Sequence, residues 1–175
     1  MFKRILVPLD GSPLSAAVLP HVEKLISETN AQVTLLMIAD STAPIGSVTV
    51  GRGDVQDMVA SPTVGQPILE RRTVIREGET QPQAEERIKD ELETYLAEAG
   101  NKLAAKGILT AQTVLFGDPV DKIVDYAKEE RFDMIAMATH GRSGLARLLA
   151  GSVASRVLER AEVPMLLVRP SELKE

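Results

Sequence analysis

Short apolar runs alternate along this chain with segments of helical period, and that alternation restricts the fold more than any other feature. Met134-Ile135-Ala136-Met137-Ala138 has no helical period, as expected of a strand buried on both faces. Phe2 to Leu9, Gln32 to Ala39, Ala111 to Phe116 and Met165 to Val168 also read as strands. Between them, Leu14, Val18, Val22, Leu25 and Ile26 mark one helix face, and Ile88, Leu92, Leu96 and Leu103 mark another within Ala84 to Lys106. Val120, Ile123, Val124 and Ala127 mark a third, and Val153, Ala154, Val157 and Leu158 a fourth. The order β-α-β-(loop)-α-β-α-β-α-β implies an α/β fold: a doubly wound, five-stranded parallel sheet with helices on both faces and right-handed crossovers. The order most compatible with five such strands is 3-2-1-4-5, which makes the first and fourth neighbours where the winding reverses.

Local chemistry punctuates these elements. Ser12-Pro13 and Asp118-Pro119 are helix starts, each with a capping side chain followed by proline at the first helical position. Pro20 should kink its helix or disturb the first turns. Asn30 is expected to end that helix, and Gly107 the one before the third strand. From Asp40 to about Gln83 the pattern weakens into a long connection rich in glycine and proline, with Arg71 to Ile75 as a candidate ordered piece. A length of 175 residues suggests one domain over 1–175.

Composition removes several classes of function. The net charge of −5 argues against general nucleic-acid binding, and no apolar stretch approaches a membrane span. Cysteine is absent, which removes thiolate metal sites and cysteine nucleophiles and fits a cytoplasmic protein.

The chemistry concentrates after the fourth strand. Thr139-His140-Gly141 breaks the apolar run, Arg142 to Ala150 follow, and Gly151-Ser152 opens the last helix. Glycine lets backbone approach a ligand, and a helix start favours an anion, so the segment reads as a phosphate-binding loop. It is neither a Walker loop, since no Gly-Lys-Ser/Thr occurs, nor a Gly-x-Gly-x-x-Gly dinucleotide fingerprint. Asp10 ends the first strand, so the topology brings it to the same crevice as the glycine loop.

These residues resemble the nucleotide motif of the universal stress protein family: Gly, two residues, Gly, nine residues, Gly-Ser/Thr. Here it stands as Ala138, Thr139-His140, Gly141, Arg142 to Ala150, and Gly151-Ser152, with Ala138 replacing the first glycine. Val7 to Ser12 matches the family's Val-Pro-x-Asp-Gly-Ser stretch, which includes Pro8, Leu9 and Asp10. The resemblance covers Phe2 to Ala39 and Gln112 to Val168. It implies an adenine-nucleotide α-hydrolase-like fold binding ATP, with Mg2+ or Mn2+ as an accompanying ion. It also implies that Asp10 faces adenine and ribose, that the backbone of Ile38 reads the adenine edge, and that Met137 and Val153 pack on the nucleotide. The resemblance further implies that the last strand serves a homodimer across 164–169, and that His140, Gly141, Arg142 and Gly144 border or line the phosphate loop.

Each residue has a plainer reading. Asp10 can cap a turn with Gly11 and Ser12. Gly141 and Gly144 can be loop glycines, Ser152 an N-cap, and Arg142 and Arg147 solvated loop charges. His140 lacks a carboxylate partner in view, and Ile38, Met137 and Val153 make equally good core. No evident catalytic base stands beside the loop, so at most slow ATP hydrolysis is expected. The alternative function is a dimeric interaction module of the same fold that binds no nucleotide and works through the long connection.

Overall fold

The computed structural model describes residues 2–27, 30–39, 79–139 and 153–169. Strands β1 (Arg4–Pro8), β2 (Gln32–Ala39), β3 (Thr110–Phe116), β4 (Met134–Ala138) and β5 (Met165–Val168) form an all-parallel sheet in the order β3-β2-β1-β4-β5. This is the order that the alternation implied. The helices described are α1 (Pro13–Ala16), α2 (Leu19–Ile26), α3 (Gln81–Ala104), α4 (Pro119–Glu129) and α5 (Val153–Arg160). The glycine segment, the connection over 40–78 with Arg71 to Ile75, and the polar tail after Arg169 lie outside the described residues.

Side chains of the central strands divide by parity, as a pleated sheet requires. Ile5, Val7, Leu9, Val33, Leu35, Met37, Met134 and Ala136 pack with α2 and α3 on one face. Leu6, Leu36, Ile38, Ile135 and Met137 pack with α4 and α5 on the other. Both faces are thus covered, which is why these strands read as unbroken apolar runs rather than alternating ones.

The helix ends follow local chemistry. Pro20 has no N–H to continue a helix from α1, and the chain makes tighter turns instead: Ala17 N–H to Leu14 C=O and Val18 N–H to Ser15 C=O. The single helix expected from Ser12 onward is therefore two, with Pro20 in the first turn of α2. Asn30 adopts a left-handed φ of 53° just beyond α2, and its N–H reaches Ile26 C=O. Helix α3 begins three residues before Ala84, because the Gln83 side chain turns back to accept from Thr80 N–H at 2.9 Å, and Pro82 belongs to its first turn rather than to the connection. Its far end closes as expected at Gly107, whose φ of 79° lets Ile108 N–H reach Leu103 C=O and Gly107 N–H reach Ala104 C=O. The Asp118 carboxylate accepts from Val120 and Asp121 N–H at 2.9 and 3.1 Å, as the Asp-Pro start implied.

At the opposite end of the sheet from the strands' carboxyl ends, one oxygen of Asp133 accepts from the N–H groups of Lys3 and Arg4 at 2.8 and 2.9 Å. Those two backbone bonds hold its pKa below the ordinary carboxylate value. A lowered folded pKa stabilises fully above the unfolded value, about 3.9, and the gain is lost as pH falls through the folded value. Asp133→Asn keeps an oxygen acceptor and removes the charge. Because the side chain is exposed, the expected cost at pH 7 is at most about 1 kcal/mol after solvent screening. Urea melts should show that difference shrinking below about pH 4; a difference constant down to pH 2 would contradict the assignment.

Candidate functional site

The crossover from β1 to β2 runs through α1 and α2 on one face, whereas that from β4 to β5 runs through α5 on the other. The winding therefore reverses between β1 and β4, which are adjacent. Their register runs Ile5↔Met134 and Leu6↔Ile135 and ends there, although β1 continues to Pro8 and β4 to Ala138. Two neighbouring strands that stop pairing before they stop being strands leave a crevice at their carboxyl ends, the place where open α/β sheets take ligands.

Four candidate residues come to this crevice from β1, β4 and the turn after β1. Pro8 is the last residue of β1 and pairs with Leu36. Leu9 extends the ladder by donating its N–H to Leu36 C=O at 2.8 Å, with its side chain in the core on the α2–α3 face. Asp10 follows, partly buried. Ala138 ends β4, pairs with Val168 and packs toward the α2–α3 face. Its φ is not positive, so an ordinary L residue fits this strand-end backbone without strain.

Ile38 lies deeper than a contact residue would. Its side chain is 3% exposed, among the residues under α4 and α5. Its backbone is the informative part. Leu36 C=O points toward β1, where it meets Leu9 N–H, and Ala39 C=O points the other way, to Gly117 N–H. Lateral direction alternates along a strand, so Ile38 N–H and C=O point to the β1 side, one pleat beyond the last β1 ladder bond. A donor and an acceptor side by side suit the edge of a planar base. Met137, 7% exposed, belongs to the same core. Val153, at the start of α5, is 38% exposed and is not core. His140, Gly141, Arg142, Gly144, Gly151 and Ser152 lie outside the described residues.

The plainer reading of Asp10 holds in its geometry. Oδ1 accepts from Ser12 N–H at 2.8 Å and from Ser12 Oγ–H at 2.6 Å, around Gly11 with φ of 78°. Ser12, 5% exposed, also caps α1 by accepting from Ser15 N–H at 3.0 Å. A turn-bound carboxylate is still an acceptor at the rim of the crevice, so capping and ligand recognition are compatible.

Two residues near Asp10 had not been singled out from sequence. Ser15 Oγ accepts from Asp10 N–H at 3.3 Å and donates to Ser12 C=O at 3.0 Å. The sequence cue was a serine three positions after the N-cap. Tyr95, half-buried on α3, has a phenol pushed up first by burial and then by the negative charges of Asp10 and Glu98. It lies three residues after Leu92 on the same apolar face, but nothing in the sequence linked α3 to Asp10. Among the described residues no cluster of three Asp, Glu or His is placed to hold a metal ion, and no helix is long and apolar enough to cross a membrane.

Fold and strand order define a doubly wound α/β protein with a switch point between β1 and β4, and comparison with known proteins narrows that class to a family. The model of the universal stress protein family matches residues 1–61 and 58–169. The chain belongs to that family. Universal stress protein MJ0531 of Methanocaldococcus jannaschii is 29% identical, over 97% of this chain and 83% of its own length. A universal stress protein solved in complex with cAMP has a TM-score of 0.61 at 20% identity, over 97% of this chain and 98% of its own. The universal stress protein of Archaeoglobus fulgidus solved in complex with dAMP has a TM-score of 0.54 at 17% identity, over 95% and 97%. The two structures share the fold of this chain.

Proposed function

We propose that this chain binds an adenine nucleotide, ATP, where β1 and β4 part, and acts as a nucleotide-dependent stress-response or signalling module. The observation that carries the reading is the pair of Ile38 backbone groups directed past the end of β1 into the crevice where Asp10 and Ala138 stand. The complexes of related structures with cAMP and dAMP support the same ligand class. In this division of labour, Ile38 and Asp10 read the nucleoside, and Gly141 to Ser152 take the phosphates. An ion such as Mg2+ or Mn2+ would be shared with the phosphates, the usual mode for Mg2+. Phosphate contacts that favour one arrangement of the loop over another would change the surface shown to a protein partner, in the cytoplasm as the cysteine-free composition suggests. The test is nucleotide analysis of protein denatured straight after purification, followed by calorimetry with ATP, ADP and GTP. Absence of adenine nucleotide together with no ATP heat would refute the reading.

One observation favours the second reading, an interaction module without nucleotide: Ala138 stands where the motif has glycine. The extended backbone there argues that the methyl group is tolerated. Ala138→Gly is therefore expected to change ATP affinity less than about threefold, under 1 kcal/mol. Conversion of a non-binding parent into a binder would instead favour the second reading.

The assembly we propose is a homodimer through 164–169. Strand β5 is a sheet edge, with Leu167 37% exposed, and an open apolar edge invites pairing. Truncation after Glu162 should give monomer or aggregate in light scattering; an unchanged dimer would exclude this interface.

A further inference from the structure

We infer that Ser15 is a positioning residue for nucleoside recognition, acting through Asp10; this rests on the nucleotide reading above. The carboxylate of Asp10 can discriminate between ligands only if its backbone is fixed relative to the end of β1, and α1 is a single turn with little rigidity of its own. Five hydrogen bonds among three residues supply the rigidity. Ser12 donates twice to Asp10 Oδ1, by N–H at 2.8 Å and by Oγ–H at 2.6 Å. Ser15 N–H donates to Ser12 Oγ at 3.0 Å. The Ser15 hydroxyl then closes the ring, accepting from Asp10 N–H at 3.3 Å while donating to Ser12 C=O at 3.0 Å. It therefore holds the main chain of both residues that make the turn, from a position outside the Val7 to Ser12 stretch.

The other hydrogen bonds leave a specific signature for this hydroxyl. Ser12 still caps α1 and still binds Oδ1 when Ser15 Oγ is removed, so the helix start persists. What is lost is the tie between Asp10 N–H and the turn. The expected loss is thus confined to the nucleoside side of the site, while the phosphate side is untouched. A merely structural role would weaken every ligand together.

The experiment measures ATP, GTP and inorganic tripolyphosphate affinities by calorimetry on the parent, Ser15→Ala, Ser15→Thr and Asp10→Ala. Ser15→Ala should lose about three- to tenfold in ATP affinity, with tripolyphosphate unchanged and the ATP-over-GTP preference reduced in the same direction as in Asp10→Ala. Ser15→Thr, which keeps a hydroxyl, should restore the preference. Circular dichroism establishes that each variant is folded, and if Ser15→Ala is not, Ser15→Cys is read in its place, keeping the volume with a weaker hydrogen-bonding group. An unchanged ATP-over-GTP preference in the folded variant, or equal losses for ATP and tripolyphosphate, overturns the inference alone. A parent that binds no nucleotide overturns the nucleotide reading and this inference with it.

Discussion

Gly151→Val is expected to weaken ATP binding at least about a hundredfold while leaving a folded protein. The Gly151-Ser152 pair directly precedes α5 in sequence, and in the proposed site its backbone N–H groups approach the phosphates, which a glycine permits. A branched Cβ there obstructs the approach. Losing two or three charge-assisted hydrogen bonds, each about 1.5–3 kcal/mol, exceeds the roughly 2.7 kcal/mol that a hundredfold change represents. The side chains of α5 that hold it to the sheet, Ala154 and Val157, are unaffected, since both pack in the core on the α4–α5 face. Inorganic tripolyphosphate should weaken in parallel with ATP, in contrast to its indifference to Ser15→Ala. Tight ATP binding by folded Gly151→Val would remove the phosphate site from this loop.

The second large effect is on stability. Ile135→Ala should destabilise the fold by about 2–5 kcal/mol. Ile135 has no solvent exposure, sits in the interior strand β4, and packs among Leu6, Ile123, Phe132 and Val157 beneath α4 and α5. It is also paired with Leu6 on one side and Met165 on the other, so the chain cannot move to fill the void without disturbing two ladders. Stability on this scale is a large share of what a single domain has. Urea midpoints measured on both proteins check the figure, and a loss below about 1 kcal/mol would mean that the two-layer core is packed differently.

Much of this protein was decided by sequence alone. The run Met134 to Ala138 reads as a strand covered on both faces, and the alternation of short apolar runs with helical segments implies the parallel sheet and its order. The starts at Ser12-Pro13 and Asp118-Pro119 and the stop at Gly107 were legible because capping is local: the side chain, the proline ring and the left-handed glycine act within a turn of the residues they affect. Pro20 was legible as a disturbance, but the outcome, two helices, depended on the tighter turns that Ala17 and Val18 make. The beginning of α3 was set by Gln83 reaching back to Thr80, a signal obscured by the glycines and prolines before it.

The site divides the same way. Asp10 and the glycine segment stand out as candidates by residue type and spacing. The exposure of Val153 and the burial of Met137 do not, because both are apolar residues whose surroundings come from other elements. Ile38 reads as a core residue, and its side chain is one. Only the parity of the ladder, fixed by where Leu9 and Gly117 bond, shows which way its backbone points. The effect of Asp10 on Tyr95 joins residues on separate elements, and the parting of β1 from β4 after Leu6 and Ile135 is a relation between two strands. Periodicity and capping act over a few residues and are written in the chain; a crevice is made by strands distant in sequence, and only the tertiary structure sets its walls.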